Sequence, residues 1–262
     1  MITRSPGIIF GSRRKSVSRT ALAVVFSIPF IAGAAGTVQK TSRGWDDIWQ
    51  QRVSVDQTEL LHAYRLVQNG QDKEALATVD KVVAHDPNDW RPHLLKAAIL
   101  GKLKKQERAL KEFDQSLDLA RKTAPPETVY VLYRMKAIGN LSIGRNRPAL
   151  EAMEQSIKMK QDDVLILNNL AWVLATAKEA DLRNPSRARY YARRCCELTH
   201  WKTATALDTL AAAEASAGDM AGAVKHERQA VARLQPAEKR YKLAAMQARE
   251  QLYLAGRSYV EI

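Results

Sequence analysis

A ladder of small residues constrains this chain more than any other feature. Alanine recurs at Ala63, Ala75, Ala97, Ala109, Ala137, Ala149, Ala171, Ala188, Ala211 and Ala223. Successive steps are 12, 22, 12, 28, 12, 22, 17, 23 and 12 residues. A short step followed by a long one, together about 34 residues, is the period of a two-helix repeat. Two packed helices approach closely only where the side chains between them are small. A single hairpin cannot bury its own apolar face, so a pattern of this kind makes sense only as a stack.

The unit is clearest in residues 207–232, LDTLAAAEASAGDMAGAVKHERQAVA. An apolar-periodic run carries Leu207, Leu210 and Ala211, Ala217-Gly218-Asp219 stops it, and a second run carries Ala223, Val224 and Ala230. Two steps of the ladder depart from the period, and both contain loop chemistry: Ala124-Pro125-Pro126 in one, Asp181 to Pro185 in the other. Proline ends a helix, so these insertions fall in connections. Asn184-Pro185-Ser186 reads as a cap that starts a new helix. The array therefore spans 56–236, in units of about 56–89, 90–129, 130–163, 164–203 and 204–236. A further helix and a tail follow in 237–262, with polar residues on the outer side, as the cap of a stack requires. No stretch alternates apolar and polar residues in strand fashion. The expected fold is all-α: an α-α superhelix of about five helical hairpins plus a C-terminal capping helix.

Ahead of the array, 40–55 is a linker carrying Trp45 and Trp49, and 1–39 is a basic arm with an apolar run. Residues 1–34 hold Arg4, Arg13, Arg14, Lys15 and Arg19 and no acid, whereas 20–38, TALAVVFSIPFIAGAAGTV, carries no charge. A basic region before an apolar core and Ala32-Gly33-Ala34 describe an export signal. A spanning helix needs roughly 17–25 apolar residues, so an uncleaved anchor is the alternative. In either case the basic flank stays cytoplasmic and the repeats are expected on the non-cytoplasmic, periplasmic side.

The formal charge of +13 favours anionic partners such as lipid surfaces or acidic proteins. Basic residues are expected to cluster on the outer helices: Lys102, Lys104, Lys105, Arg108 and Lys111, then Arg187, Arg189, Arg193 and Arg194 beside Tyr190 and Tyr191. The two cysteines, Cys195 and Cys196, are neighbours and form no disulfide framework. Cys195 reads as a small buried residue, and Cys196 as incidental.

Chemistry is sparse. The histidines His62, His85, His93, His200 and His226 form no HExxH or Cys/His pairing, and no G-x-S-x-G, Walker loop or GxGxxG occurs. Asp162-Asp163 and Asp46-Asp47 sit where acids favour a helix start. No enzyme, cofactor, metal or nucleic-acid partner is expected.

The last hundred residues resemble a variant of the tetratricopeptide repeat (TPR) found in bacterial proteins. The motifs are LNNLAWVLAT, NPSRARYYARRCCELT, ALDTLAAAEASAGD and LYLAGRSYVE; the earlier repeats match only at the general level. The resemblance implies an α-solenoid that binds another protein or peptide segment, and no reaction. In such repeats the first helix of each pair lines a groove. Carried onto this chain, groove positions include Leu60, Tyr64, Leu94, Ala98, Arg134, Ile138, Asn168, Trp172, Asp208 and Ala212. Asn169 matches a residue that in related repeats hydrogen-bonds the backbone of a bound peptide. The partner-binding set is thus Asn168, Asn169, Trp172, Arg134, Tyr64 and Asp208. Asn168 and Asn169 have a second reading, as partners of neighbouring helix ends, and Tyr64 and Trp172 as core. Leu60 and Tyr64 stand where chaperone-binding repeats carry a Lys and an Asn, which argues against a carboxylate clamp. The expected function is a non-enzymatic scaffold or adaptor of the cell envelope. The alternative is a basic envelope protein that meets a polyanion or anionic membrane through its convex face.

Overall fold

The computed structural model describes residues 55–261. The basic arm, the uncharged run, the linker tryptophans and Asp46-Asp47 lie outside the described residues. Among the described residues there are eleven α-helices and no strand. They are α1 (Val55–Gln68), α2 (Asp72–His85), α3 (Trp90–Lys102), α4 (Gln106–Thr123), α5 (Pro126–Ser142), α6 (Asn146–Met159), α7 (Val164–Thr176), α8 (Pro185–Leu198), α9 (Ala204–Ser216), α10 (Met220–Arg233) and α11 (Pro236–Leu254). A short 3-10 turn, Ala180–Leu182, sits in the insertion between α7 and α8. The helices pair as five hairpins, with α11 as the capping helix. No helix among the described residues is long and apolar enough to cross a membrane.

All ten ladder alanines are buried, none more than 2% exposed. Each sits where its helix meets a neighbour, and this is why the step pattern is kept while the surrounding sequence varies. The hairpin turns share one backbone device. In the first, second, third and fifth hairpins a six-residue closure ends the first helix: Gln71 N–H to Leu66 C=O, Lys105 to Leu100, Arg145 to Asn140 and Asp219 to Glu214, all at 2.9 Å. Such a closure needs a left-handed residue just before the closing N–H. Gly70, Gly144 and Gly218 supply it in three turns, whereas Lys104 adopts φ 60° in the other. At two of the four links between hairpins an acid starts the next helix. Asp89 accepts from Arg91 N–H, and Asp163 accepts from Leu165 and Ile166 N–H. The Asn184 cap is as the sequence indicates: its side chain accepts from Arg187 N–H at 3.0 Å.

The chain divides between Val129 and Tyr130 into two compact units. In 55–129, Leu60, Ala63 and Leu66 of α1 and Ala75, Val79 and Val82 of α2 bury against Leu95 and Ile99 of α3. In 130–261, one core runs from Ala137 on α5 through Met153, Ile166, Leu170, Leu174, Ala188, Leu207 and Leu210 to Met246 on α11. Both cysteines belong to it: Cys196 is as buried as Cys195, so it is a packing residue and not an incidental one. Burial pushes the two thiols up to about 11 and about 12, far from the reactive thiolate.

Candidate peptide-binding site

The site is built on α7. Asp163 fixes its start: Oδ1 caps the first turn, while Oδ2 accepts from the Tyr130 hydroxyl and lies 3.0 Å from Arg134 Nε. Arg134 is thereby committed to Asp163. It orients the helix that bears the site and does not stand as an open cation. Asn168 and Trp172 follow, four residues apart on one face. The Asn168 side-chain oxygen lies 4.0 Å from the Cys195 sulfur on α8. Asn169 turns its amide back along its own helix, donating to Leu165 C=O at 3.0 Å. Neither asparagine caps a neighbouring helix.

Tyr64 belongs to the other compact unit, where it packs half-buried against the α1–α3 core. Three further positions expected on a groove are core instead. Leu60 is 3% exposed, Leu94 0% and Ala212 2%, because the first helices bury that register against their neighbours.

Asp208, on α9, is 8% exposed and already paired. Arg249, from α11, donates to its Oδ1 twice, from Nη2 at 2.6 Å and from Nε at 3.0 Å. Arg249 Nε also lies 3.5 Å from Oε1 of Glu227 on α10, which is fully buried. Two carboxylates thus face one guanidinium. Burial, reinforced by Asp208, pushes the Glu227 carboxyl up to about 9, so it is protonated at neutral pH. Burial also raises Asp208, opposed chiefly by Arg249. The proton and the guanidinium together leave the cluster neutral, the state a buried site favours.

The same guanidinium lies over two aromatic rings. Its carbon lies 5.3 Å from the centre of Trp172 and 5.6 Å from that of Tyr259, and the two rings are 5.9 Å apart. Tyr259 arrives on a segment outside regular secondary structure. Helix α11 closes at Gly256, φ 71°, with Arg257 N–H on Leu252 C=O at 2.9 Å. The chain then returns across α9 to α7. Tyr259 packs with Ala211, Ala215 and Tyr253. Glu261 N–H donates to Thr176 C=O at 2.8 Å, and Glu261 Oε1 accepts from Trp172 Nε1 at 2.6 Å. Thr176 ends α7, so its carbonyl is one that the helix itself leaves unpaired. The α7 face therefore holds a non-helical segment of this chain, Tyr259 to Glu261.

Sequence reasoning places Trp172 on this face but misses Thr176, Arg249, Glu227, Tyr259 and Glu261. One signal was present: Tyr259, Val260 and Glu261 after Gly256 form a short aromatic and β-branched run beyond a helix stop, the composition of an extended segment.

The outer face of α8 is more self-satisfied than its charge indicates. Arg187 pairs with Glu154 at 2.6 Å and Arg194 with Glu197 at 3.6 Å. Arg189, Tyr190, Arg193, Arg194 and Glu197 line a shallow concavity there. Among the described residues no group of three or more His, Cys, Asp or Glu side chains is placed to hold a metal ion.

No family model matches the chain, and no curated protein does. Solved structures do. MamA residues 41 to the end, from Desulfovibrio magneticus RS-1, matches with TM-score 0.54 at 17% identity, over 68% of this chain and 94% of that one. A double mutant of MamA RS-1 matches with TM-score 0.54 at 18% identity, over 68% and 93%. Another MamA structure matches with TM-score 0.53 at 16% identity, over 72% and 94%. These neighbours are TPR-type proteins. At such identities the likeness is one of fold, and the fold of this chain is the all-α TPR type that its alanine ladder describes.

Proposed function

We propose that this protein is a non-enzymatic interaction scaffold that holds an extended segment of a partner protein on the α7–α9 face. One observation carries the reading: the chain's own Tyr259–Glu261 lies on that face, through a main-chain bond at Thr176 and side-chain contacts at Trp172 and Arg249. A surface that accepts the backbone and one aromatic of a strand has the elements of peptide recognition. Asn168 and Asn169 flank the same helix and would line the path of a longer segment. Arg134 and Asp208 act behind the face, the first through Asp163 and the second through Arg249.

A photo-crosslinking residue at Asn168 should yield partner adducts in cells, and one at Arg189 on the outer face should not. Adducts from position 189 alone would overturn the reading.

The membrane part of the proposal rests on the uncharged run 20–38 behind a basic arm. The repeats would lie on the non-cytoplasmic side, held by an anchor or released by cleavage. A reporter active only in the periplasm, fused after Ile262, should be active; activity of a cytoplasm-only reporter would remove this part.

The exposed Arg189, Tyr190 and Arg193 favour a second reading, in which the outer face of α8 meets an anionic surface. Binding of that kind should collapse between low and moderate salt, whereas capture on the aromatic inner face should change little.

A further inference from the structure

We propose that the α7–α9 face selects partner segments in which an aromatic residue is followed, two positions later, by a carboxylate, and that Tyr259-Val260-Glu261 is the resident competitor for that slot. This rests on the scaffold reading above and names the chemistry of its partner.

The resident segment shows what the slot takes. Exposure alternates along it: Tyr259 and Glu261 are half-buried, and Val260 is exposed. That is the period of an extended chain with alternate side chains facing the protein. The inward positions meet distinct chemistry. Tyr259 lies beside Trp172 and under the Arg249 guanidinium, a setting that favours a flat, electron-rich ring. The Glu261 carboxylate takes the indole N–H, a donor that no acceptor within α7 satisfies. Between them the main-chain bond to Thr176 fixes direction and register, and any peptide N–H can make it. The exposed Val260 is unselected. The order aromatic, any residue, acid follows from the three contacts together.

The resident segment is also weakly tied. Arg257 and Ser258 are exposed, so two side chains and one backbone bond hold it on α7, at the end of a short tether that leaves α11 at Leu254. A short tether gives such a segment an effective concentration of order millimolar. A partner that offers only the same three contacts competes poorly, whereas one that adds contacts along Asn168 displaces the segment. The arrangement filters out chance sequences.

The probe is a fluorescein-labelled peptide of residues 256–262, GRSYVEI, read by anisotropy against the full-length protein. The double variant Tyr259→Ser with Glu261→Ser weakens the resident segment and leaves the slot intact. It should bind the peptide at least tenfold more tightly than the unmodified protein does. Adding Trp172→Ala should remove the binding, as should replacing the tyrosine of the peptide by serine. Equal binding to both proteins overturns the proposal. So does the absence of binding to a double variant that keeps its helical circular dichroism. Should the double variant unfold, the unmodified protein decides. Millimolar unlabelled peptide should accelerate hydrogen exchange of the Glu261 amide, and an unchanged rate overturns the proposal. Dimers of the double variant with the unmodified protein at raised concentration would assign the slot to the segment of a second copy, and also overturn it. Partner adducts at position 168 without peptide binding would sink the sequence rule and leave the scaffold standing.

Discussion

Glu227→Gln should stabilise the protein, and more so as pH rises. Glu227 is fully buried against Asp208, with Arg249 the cation shared by both. In the unfolded chain its carboxyl titrates near 4.5, and in the fold near 9. Between these values the folded state carries a proton that the unfolded state has lost. Folding then takes up a proton, and stability falls as pH rises across the window. Below 4.5 both states are protonated and the penalty is absent; above 9 both are ionised and it is complete. Each pH unit above 4.5 costs about 1.4 kcal/mol, so by pH 7 the loss is about 3 kcal/mol. Relaxation around the charge reduces that figure, and about 2 kcal/mol is the working expectation. Glutamine keeps the shape but cannot ionise. Urea unfolding followed by circular dichroism at pH 5, 6.5, 8 and 9 measures the difference. The two proteins should be close at pH 5 and separate steadily toward pH 9, with the variant more stable. A constant gap across that range would refute the argument, because it would mean that Glu227 is charged inside the fold.

Two further outcomes test the packing. Ala211→Leu or Ala223→Leu inserts three heavy atoms at a fully buried helix contact and should cost about 1–3 kcal/mol, read as a lower midpoint in urea; no change in either would show the ladder to be misread. Lys104→Gly relieves a left-handed non-glycine residue at φ 60° and should stabilise by about 0.5–1 kcal/mol in the same assay; a loss of stability would mean the turn does not hold Lys104 there.

The ladder was legible because close helix packing leaves no choice of residue size. Every alanine in it is buried, even across the two insertions that break its period. The turn at Lys104 was not legible, since the residue type gives no hint of a left-handed backbone; only the bond from Lys105 to Leu100 reveals it. The site divides the same way. Helical register put Asn168 and Trp172 on one face, which is a local property. The partner of Asp208 lies 41 residues away on the capping helix, and the acceptor for Trp172 lies 89 residues away. Periodicity reports which way a side chain faces and is silent on which distant segment meets it. Asp208, taken alone, looks like an acid on an open surface. With Arg249 in place it is the inner half of an ion pair.

Arg249 explains why the capping helix and the peptide slot form one device. A guanidinium offers donors around its edge and a flat cationic face, and the two can be used at once. Here its donors are turned to Asp208 and Glu227, while the group itself lies over the rings of Trp172 and Tyr259. Asp208 holds the group in place through two donors, and its position sets where an aromatic side chain can rest beside Trp172. An ammonium at the same position would keep the charge but could not hold Asp208 through two fixed nitrogens while lying over the rings. The buried acids, remote from any bound segment, therefore shape the slot through a single side chain. The capping helix that supplies this side chain both seals the core at Met246 and completes the recognition face.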